Sequence, residues 1–398
     1  MKICLNLLAA TAGGQLTRAR AFLDRFEQHA KDCELLVLKE QQVLPEYGSR
    51  SRREVLNVAI GLGRLKALRR MVWETVAMPR VLRQRQVEVY LTFSHYLPST
   101  VPSHVASVVG VSNLAPFSDL AWSEEGLVVR LKMALLRRSI VGSARRATSV
   151  IALSNACRAM LEQAGIAAGA IETIPNGVDD FWRETDSQTA SVPWDNFLLY
   201  VSHFHRYKNH ARLLRAYSQL PLQLRQSHPL VMVARSYDRR YYREIRALTS
   251  QLGLNKQVVI EPGKDTASIR ALYHRATLFL FPSMIENCPN ILLEAMASGA
   301  AVLASNQPPM PEFGGDGAVY CDPLDVLAMT RSMESLLNDS GRRKRMGERA
   351  AVLAQRYSWE EFVGRVIDVC ARASKTVPNH ASIGQPPCRP LTNSRHAR

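Results

Sequence analysis

SMIENCPNILLEAMASG, residues 283–299, follows the apolar run LFLFP (278–282) and carries a helical pattern that starts near Pro289 and Asn290 and stops at Gly299. A short apolar run passing straight into a helix is the repeating unit of parallel α/β proteins. Glu286 then falls in the strand-to-helix loop and Glu294 in the second helical turn. Both lie near the C-terminal edge of a parallel strand, where open α/β sheets bind ligands. The helix start offers unpaired amides and the positive end of the helix dipole, which suit an anion. A diphosphate docked there leaves one carboxylate near a nucleoside and the other near a sugar. Carboxylates suit that work because they accept paired hydrogen bonds from vicinal hydroxyls. On spacing alone, two glutamates eight apart fit a capping or surface role as well.

Outward from this segment the same alternation fills the chain. In the first half the apolar runs are KICLNLL (2–8), ELLVL (34–38), VEVYLT (87–92), ASVVGVS (106–112), SVIALS (149–154) and IETIP (171–175). They are near-continuous, as expected for strands covered on both faces. Residues 183–196 (RETDSQTASVPWDN) are polar and read as a linker. A second series follows: FLLYVS (197–202), PLVMVA (229–234), VVI (258–260), LFLFP (278–282) and AAVLAS (300–305). The expectation is two α/β domains, residues 1–190 and 191–374. A tail, 375–398, lacks apolar periodicity, contains several prolines and is expected to be disordered.

The 398 residues exceed what one core usually organises, and 46% hydrophobic against 22% charged residues is ordinary globular composition. Seven scattered cysteines, none paired at metal-ligand spacing, read as reduced thiols of a cytoplasmic protein. MKICLNLLAATAGG at the start is too short in its apolar part for a secretory signal and reads as a first buried strand. No stretch reaches the roughly 18 apolar residues of a membrane span, so a soluble or peripheral protein is expected. The net charge of +16 is partly local, since residues 50–85 hold ten Lys/Arg against Glu54 and Glu74. Such a surface suits phosphorylated substrates and anionic headgroups. No helix-turn-helix, zinc-finger or aromatic RNA-binding signature accompanies it, so nucleic acid is not the expected partner.

The segment 283–299 resembles the Glu-x7-Glu region of family 4 glycosyltransferases, in the form E-G-x-P-N-x-x-L-E-A-M-A-x-G. Glu286, Pro289, Asn290, Leu293, Glu294, Ala295, Met296, Ala297 and Gly299 match it. Asn287 stands where the pattern has Gly, and Asn tolerates left-handed backbone well enough to keep the turn. The resemblance implies the GT-B fold: two Rossmann-like domains facing a cleft, with a C-terminal helix crossing back to the first. It also implies retention of anomeric configuration without a metal or other cofactor. Glu294 would bind the ribose hydroxyls and Glu286 the donor sugar, with Asn287, Asn290 and Ile291 completing the donor site. IPNGVD (174–179) resembles the family's interdomain segment, with Asn176 and Gly177 read as turn-makers, and ALSNACRAML (152–161) resembles the helix start before it. VSHFHRYKN (201–209) resembles the phosphate-binding G-R-L-x-x-x-K-G loop, with Lys208 on the family lysine. His203 stands at the usual arginine, so Arg206 or a charged His203 would supply the second cation. In the first domain Gly13 and Gly14 follow strand one where the family also has a glycine pair, and glycine lets backbone approach a phosphate or acceptor closely. SNLAPF (112–117) resembles the family's N-x-x-P-F and makes Asn113 a candidate contact. His95 either lines the cleft or packs locally. YSW (357–359) resembles the start of the final helix.

Together these features predict transfer of a hexose from a UDP- or GDP-linked nucleotide sugar to a glycan or polyprenyl-linked acceptor. A sugar-nucleotide epimerase of the same fold, and a non-catalytic polyanion-binding protein, are the alternatives. One helix adds a location. Residues 61–77 (GLGRLKALRRMVWETVA) place Leu65, Leu68, Val72 and Val76 on one face, expected to pack on the first sheet. Lys66, Arg69, Arg70 and Trp73 share an adjacent stripe, which is either a solvated basic face with Trp73 folded onto the core or a face for an anionic membrane surface on the cytoplasmic side.

Overall fold

The structure is a computed structural model and describes residues 1–10, 13–61, 63, 65–185, 193–235 and 238–377. The first sheet contains β1 (Lys2–Asn6), β2 (Glu34–Lys39), β3 (Arg53–Asn57), β4 (Val89–Thr92), β5 (Ala106–Val111), β6 (Ser149–Ala152) and β7 (Ile171–Thr173), in the order β3-β2-β1-β4-β5-β6-β7. The second contains β8 (Leu198–His203), β9 (Leu230–Arg235), β10 (Val258–Pro262), β11 (Leu278–Phe281), β12 (Val302–Ser305) and β13 (Ala318–Cys321), in the order β10-β9-β8-β11-β12-β13. Every pairing between named strands is parallel. Strand order reverses between β1 and β4 in one sheet and between β8 and β11 in the other, and those two reversals are where such sheets open a crevice.

The helices that place the site are α1 (Gly14–His29) after β1, α2 (Lys66–Val76) after β3, α3 (Leu127–Arg146) between β5 and β6, α4 (Asn290–Ala297) after β11, and α5 (Trp359–Lys375). The first sheet ends at Thr173 and the second begins at Leu198, and the expected boundary at 190/191 lies outside the described residues. So do residues 378–398 of the expected tail; α5 itself runs to Lys375.

Two strands escape the sequence pattern, β3 and β13, and both are sheet edges. REVLN in β3 puts a charge pair where a central strand would be apolar. An edge strand is covered less completely, so β3 loses the continuous hydrophobic run that betrays an inner strand, whereas β13, AVYC, stays apolar but is only four residues long.

The expected crossing back is observed. Phe362, Val363, Val366, Ile367 and Cys370 of α5 are buried with Phe22 and Phe26 of α1 and Ile3, Leu5 and Val108 of the first sheet. The chain that delivers α5 runs against the interdomain segment, with Val178 N–H donating to Tyr357 O at 3.1 Å. Gly177 lies so close to it that a Cβ would stand 2.2 Å from Trp359 N. Gly177 is therefore more than a turn-maker, because only a missing side chain allows this approach. Gly177→Ala is expected to cost about 2 kcal/mol or more, the scale of overpacking against a backbone that cannot move aside. Urea unfolding checks this, and an unchanged midpoint would show that the contact is slack.

The structure corrects the expectation for α2. Leu65, Leu68, Val72 and Val76 do not pack on the sheet but stand 53–57% exposed, with Met71 at 42%. The opposite, polar side faces the protein. Lys66 pairs with buried Glu40 at 2.8 Å, and Arg70 approaches buried Glu74 to 3.4 Å. Glu74 in turn accepts from Asn6 Nδ2 at 2.8 Å, and Trp73 packs against the core around Tyr90. A paired, hydrogen-bonded acid network outcompetes the apolar stripe for the inner face, which a helical period alone does not reveal.

Candidate active site

A cavity of about 360 Å³ opens between the domains at the two strand-order reversals, lined by Gly13, Gly14 and Thr17 on one side and by loops after β8, β10 and β11 on the other. The end of β8 and the loop after it bring Ser202, His203 and Lys208; the loop after β11 brings Glu286 and Cys288, and α4 brings Asn290, Ile291 and Glu294. The two loops are tied to each other, since Met284 N–H donates to Tyr207 O at 2.8 Å.

Lys208 and Glu286 form an ion pair, with side chains only 8% and 14% exposed. Ser283 Oγ donates to the same carboxylate oxygen at 2.7 Å. Burial pulls the Lys208 ammonium down, and Glu286 together with Tyr207 more than offsets it, so the pKa is raised. The ammonium sits 5.4 Å from the Tyr207 ring centroid and 5.8 Å from that of Phe281. Such pairing and packing fix a cation at the cavity wall.

α4 presents its N terminus to the same cavity. Pro289 is its N-cap and no side chain caps it; Asn290 N–H is spent on Cys288 O at 3.0 Å, which leaves the amides of Ile291 and Leu292 to an anionic ligand. The other end is anchored by Leu292, Leu293, Ala295 and Met296, all buried. Glu294 is on the cavity side, with Tyr273 Oη 3.5 Å from its Oε2. Burial, helped by the charge of Asp179, pushes its carboxyl up to about 8. The two glutamates thus differ in surroundings: Glu286 is ion-paired with Lys208, and Glu294 is a buried carboxyl whose neutral form burial favours.

Gly13 adopts φ +63° at the start of α1, and a Cβ on Gly14 would lie 3.6 Å from Asn290 Nδ2. Two bare backbone positions of the first domain therefore face the donor loop of the second.

Other expected residues are placed differently. Arg206 is not among the cavity-lining residues; it pairs with Glu244 at 2.7 Å and stacks 5.1 Å over Tyr241. The second lysine that does line the cavity is Lys264, 3.2 Å from Glu261. Asn287 does not take the left-handed backbone expected of it. Its Nδ2 donates to Val111 O at 2.8 Å and its Oδ1 accepts from Ser154 Oγ at 3.4 Å, so it ties the donor loop to the first domain. Asn113 closes a local turn by accepting from Ala115 N–H at 3.0 Å and does not line the cavity. His95 has φ +56° just beyond β4, and burial lowers its pKa to about 4. It too stands outside the cavity lining.

Arg18 was not visible as a site residue in the sequence. It is buried on α1, its Nε donating to Asn176 Oδ1 at 2.9 Å and its Nη1 to Ser112 Oγ at 2.8 Å. Asn176 Nδ2 donates onward to Asn290 Oδ1 at 2.8 Å. A buried guanidinium of the first domain thus orients, through the interdomain segment, a residue at the N terminus of α4. The only sequence signal was an arginine one turn into a helix that follows a glycine pair, which is ordinary for a surface position.

Two doubly wound domains with a lysine and two unlike carboxylates at facing crevices define a GT-B protein. Residues 12–180 match the model of Glycosyltransferase Family 4, and residues 183–352 match that of Glycosyl transferases group 1. The chain belongs to the family 4 glycosyltransferases. It is 31% identical over 225 residues to the serotype-specific mannosyltransferase WbdA of Escherichia coli, which covers 54% of this chain but only 27% of WbdA. Among solved structures it resembles sucrose-phosphate synthase from Thermosynechococcus elongatus, with a TM-score of 0.75 over 94% of this chain and 100% of that one at 16% identity. It also resembles Anabaena HepE in complex with UDP and glucose, with a TM-score of 0.70 over 94% and 100% of the two chains at 19% identity.

Proposed function

We propose that the protein transfers a hexose from a UDP- or GDP-linked donor to a hydroxyl of a glycan or polyprenyl-linked acceptor in surface polysaccharide assembly, with retention and without a metal. The observation that carries this is one cavity bringing together Lys208, Glu286, Glu294, the uncapped end of α4 and the Gly13–Gly14 backbone of the facing domain. The relation to a mannosyltransferase and the likeness to a protein holding UDP and glucose support it. The diphosphate lies at α4 and Lys208, the ribose at Glu294 and the sugar at Glu286. As the glycosidic bond breaks, negative charge grows on the leaving phosphate oxygen beside Lys208 and positive charge on the sugar ring beside Glu286. The acceptor hydroxyl attacks from the same face, and the departing phosphate oxygen takes its proton.

Lys208 and the helix amides occupy the place a divalent cation takes in metal-dependent transfer, where it clamps the diphosphate. Transfer is therefore expected to persist in excess EDTA and to give a product with the donor's anomeric configuration, both read by NMR of the product. Loss of activity that Mn²⁺ restores would overturn the metal-free reading, and an inverted anomer would overturn retention. Among the described residues no helix is long and apolar enough to cross a membrane. A lipid-linked acceptor is then reached from the surface of the inner membrane, on the cytoplasmic side.

A further inference from the structure

α2 is not alone in wearing its apolar side outward. The first half of α3 exposes Leu127 (83%), Leu131 (62%) and Leu135 (61%), spaced by four, and Val128 (68%), three before Leu131, so that they share a face. Only its second half is anchored, through Ile140 and Ala144.

The two helices lie on the same side of the first sheet. Trp73 of α2 packs with the cluster containing Tyr90 and Val109, and Ile140 of α3 packs with the cluster containing Val111 and Val150. Val109 and Val111 are two apart on β5, so they point to one face. The other face is already covered by α1 and α5. The exposed half of α3 also lies beside the cleft, because Glu124, three residues before it, pairs with Arg212 of the second domain at 2.9 Å.

Charge says what covers this surface. α3 carries Arg130, Lys132, Arg137, Arg138, Arg145 and Arg146 and no carboxylate, and all six are exposed. Among the described residues none of them pairs with an acid. Arg137 lies 5.4 Å over the Phe117 ring, and Arg130, Arg145 and Arg146 donate to backbone carbonyls, contacts that leave their charge uncompensated. Exposed leucines and valines interleaved with unpaired cations match the boundary between acyl chains and anionic headgroups, where apolar side chains insert and arginines meet phosphates.

We propose that α2 and the N-terminal half of α3 together form a docking face for an anionic lipid bilayer, with the apolar stripes of both helices inserted and the α3 cations on the headgroups. This deepens the proposed function, on which its purpose rests, by naming the surface that brings the cleft to a lipid-linked acceptor. It replaces the stripe Lys66, Arg69, Arg70 as the contact, since Lys66 and Arg70 are spent on buried acids.

The test is co-sedimentation of the full chain with vesicles of phosphatidylcholine and phosphatidylglycerol, 3:1, against pure phosphatidylcholine. The parent is expected to bind the anionic vesicles at least about tenfold more strongly, since each cation near such a surface adds roughly fivefold. Leu68→Glu/Val72→Glu and Leu131→Glu/Leu135→Glu should each lose about tenfold or more, and Lys132→Glu/Arg138→Glu should lose the preference for anionic lipid. All these positions are exposed, so circular dichroism should be unchanged. Variants that sediment like the parent, or a parent indifferent to lipid charge, would overturn the proposal. A parent that is dimeric by ultracentrifugation and becomes monomeric in the leucine variants would overturn it too, assigning the face to a second copy. Donor turnover in solution is measured in parallel: its persistence without vesicle binding sinks only the docking face, and vesicle binding without turnover sinks only the enzymatic reading.

Discussion

Lys208→Ala is expected to lower kcat by about a hundredfold, the scale of removing one preorganised contact to a developing anion. Lys208 is buried, paired with Glu286 and near two aromatic rings, so its ammonium does not have to be collected from solvent at the moment of reaction. An ammonium has three donors, so it can keep Glu286 and still reach a phosphate oxygen. Lys208→Arg should not restore the rate, because a planar guanidinium does not fit a buried site occupied by a compact ammonium. Removing the cation also leaves Glu286 without its partner, so thermal unfolding and circular dichroism belong beside the kinetics. A folded Lys208→Ala protein with parental kcat/KM would remove Lys208 from the mechanism.

What the sequence discloses follows from what each pattern physically encodes. The segment 283–299 was legible because β11 is a wholly buried inner strand and α4 has its apolar face inward, so period and burial agree. β3 was not, because an edge strand is free to be polar, and β13 was not, because AVYC is only four residues long. α2 was read with the wrong side inward. Its apolar period is real, but the choice of inner face was made by Glu40, Glu74 and Asn6, residues up to 68 positions away in the chain. The same limit governs the site. Lys208 and Glu286 sit in loops that follow strands and Glu294 in the helix that follows β11, where position in the chain predicts position in the cleft. Arg206 is two residues from Lys208 yet is drawn to Glu244, and Arg18 reaches the site only through Asn176. A local pattern names the element a residue belongs to; long-range partners decide where its side chain goes.

The two glutamates are expected to separate nucleotide binding from transfer. Glu286→Ala should leave the affinity for free nucleoside diphosphate nearly unchanged while lowering turnover of the intact donor by about a hundredfold, since its partner is the sugar. Glu294→Ala should weaken the free nucleotide itself, because the ribose hydroxyls lose their acceptor. Burial adds a pH signature that only Glu294 can give. Its carboxyl stands at about 8 in the folded protein against 4.5 for an ordinary glutamate. Between those values the folded state holds a proton that the unfolded chain has released. Stability from this group is therefore fully present below about 4.5 and is lost as pH rises through 8. Glu294→Gln, which cannot ionise, should accordingly unfold at a higher temperature relative to the parent at pH 8 than at pH 5. Ribose hydroxyls donating to the carboxylate favour its charged form, so nucleotide binding near pH 7 should release a proton from Glu294. Calorimetry in two buffers of different ionisation enthalpy counts that proton as the difference between the parent and Glu294→Gln. Equal affinity losses in the two alanine variants, or no difference in proton release, would mean that the ribose is not held by Glu294.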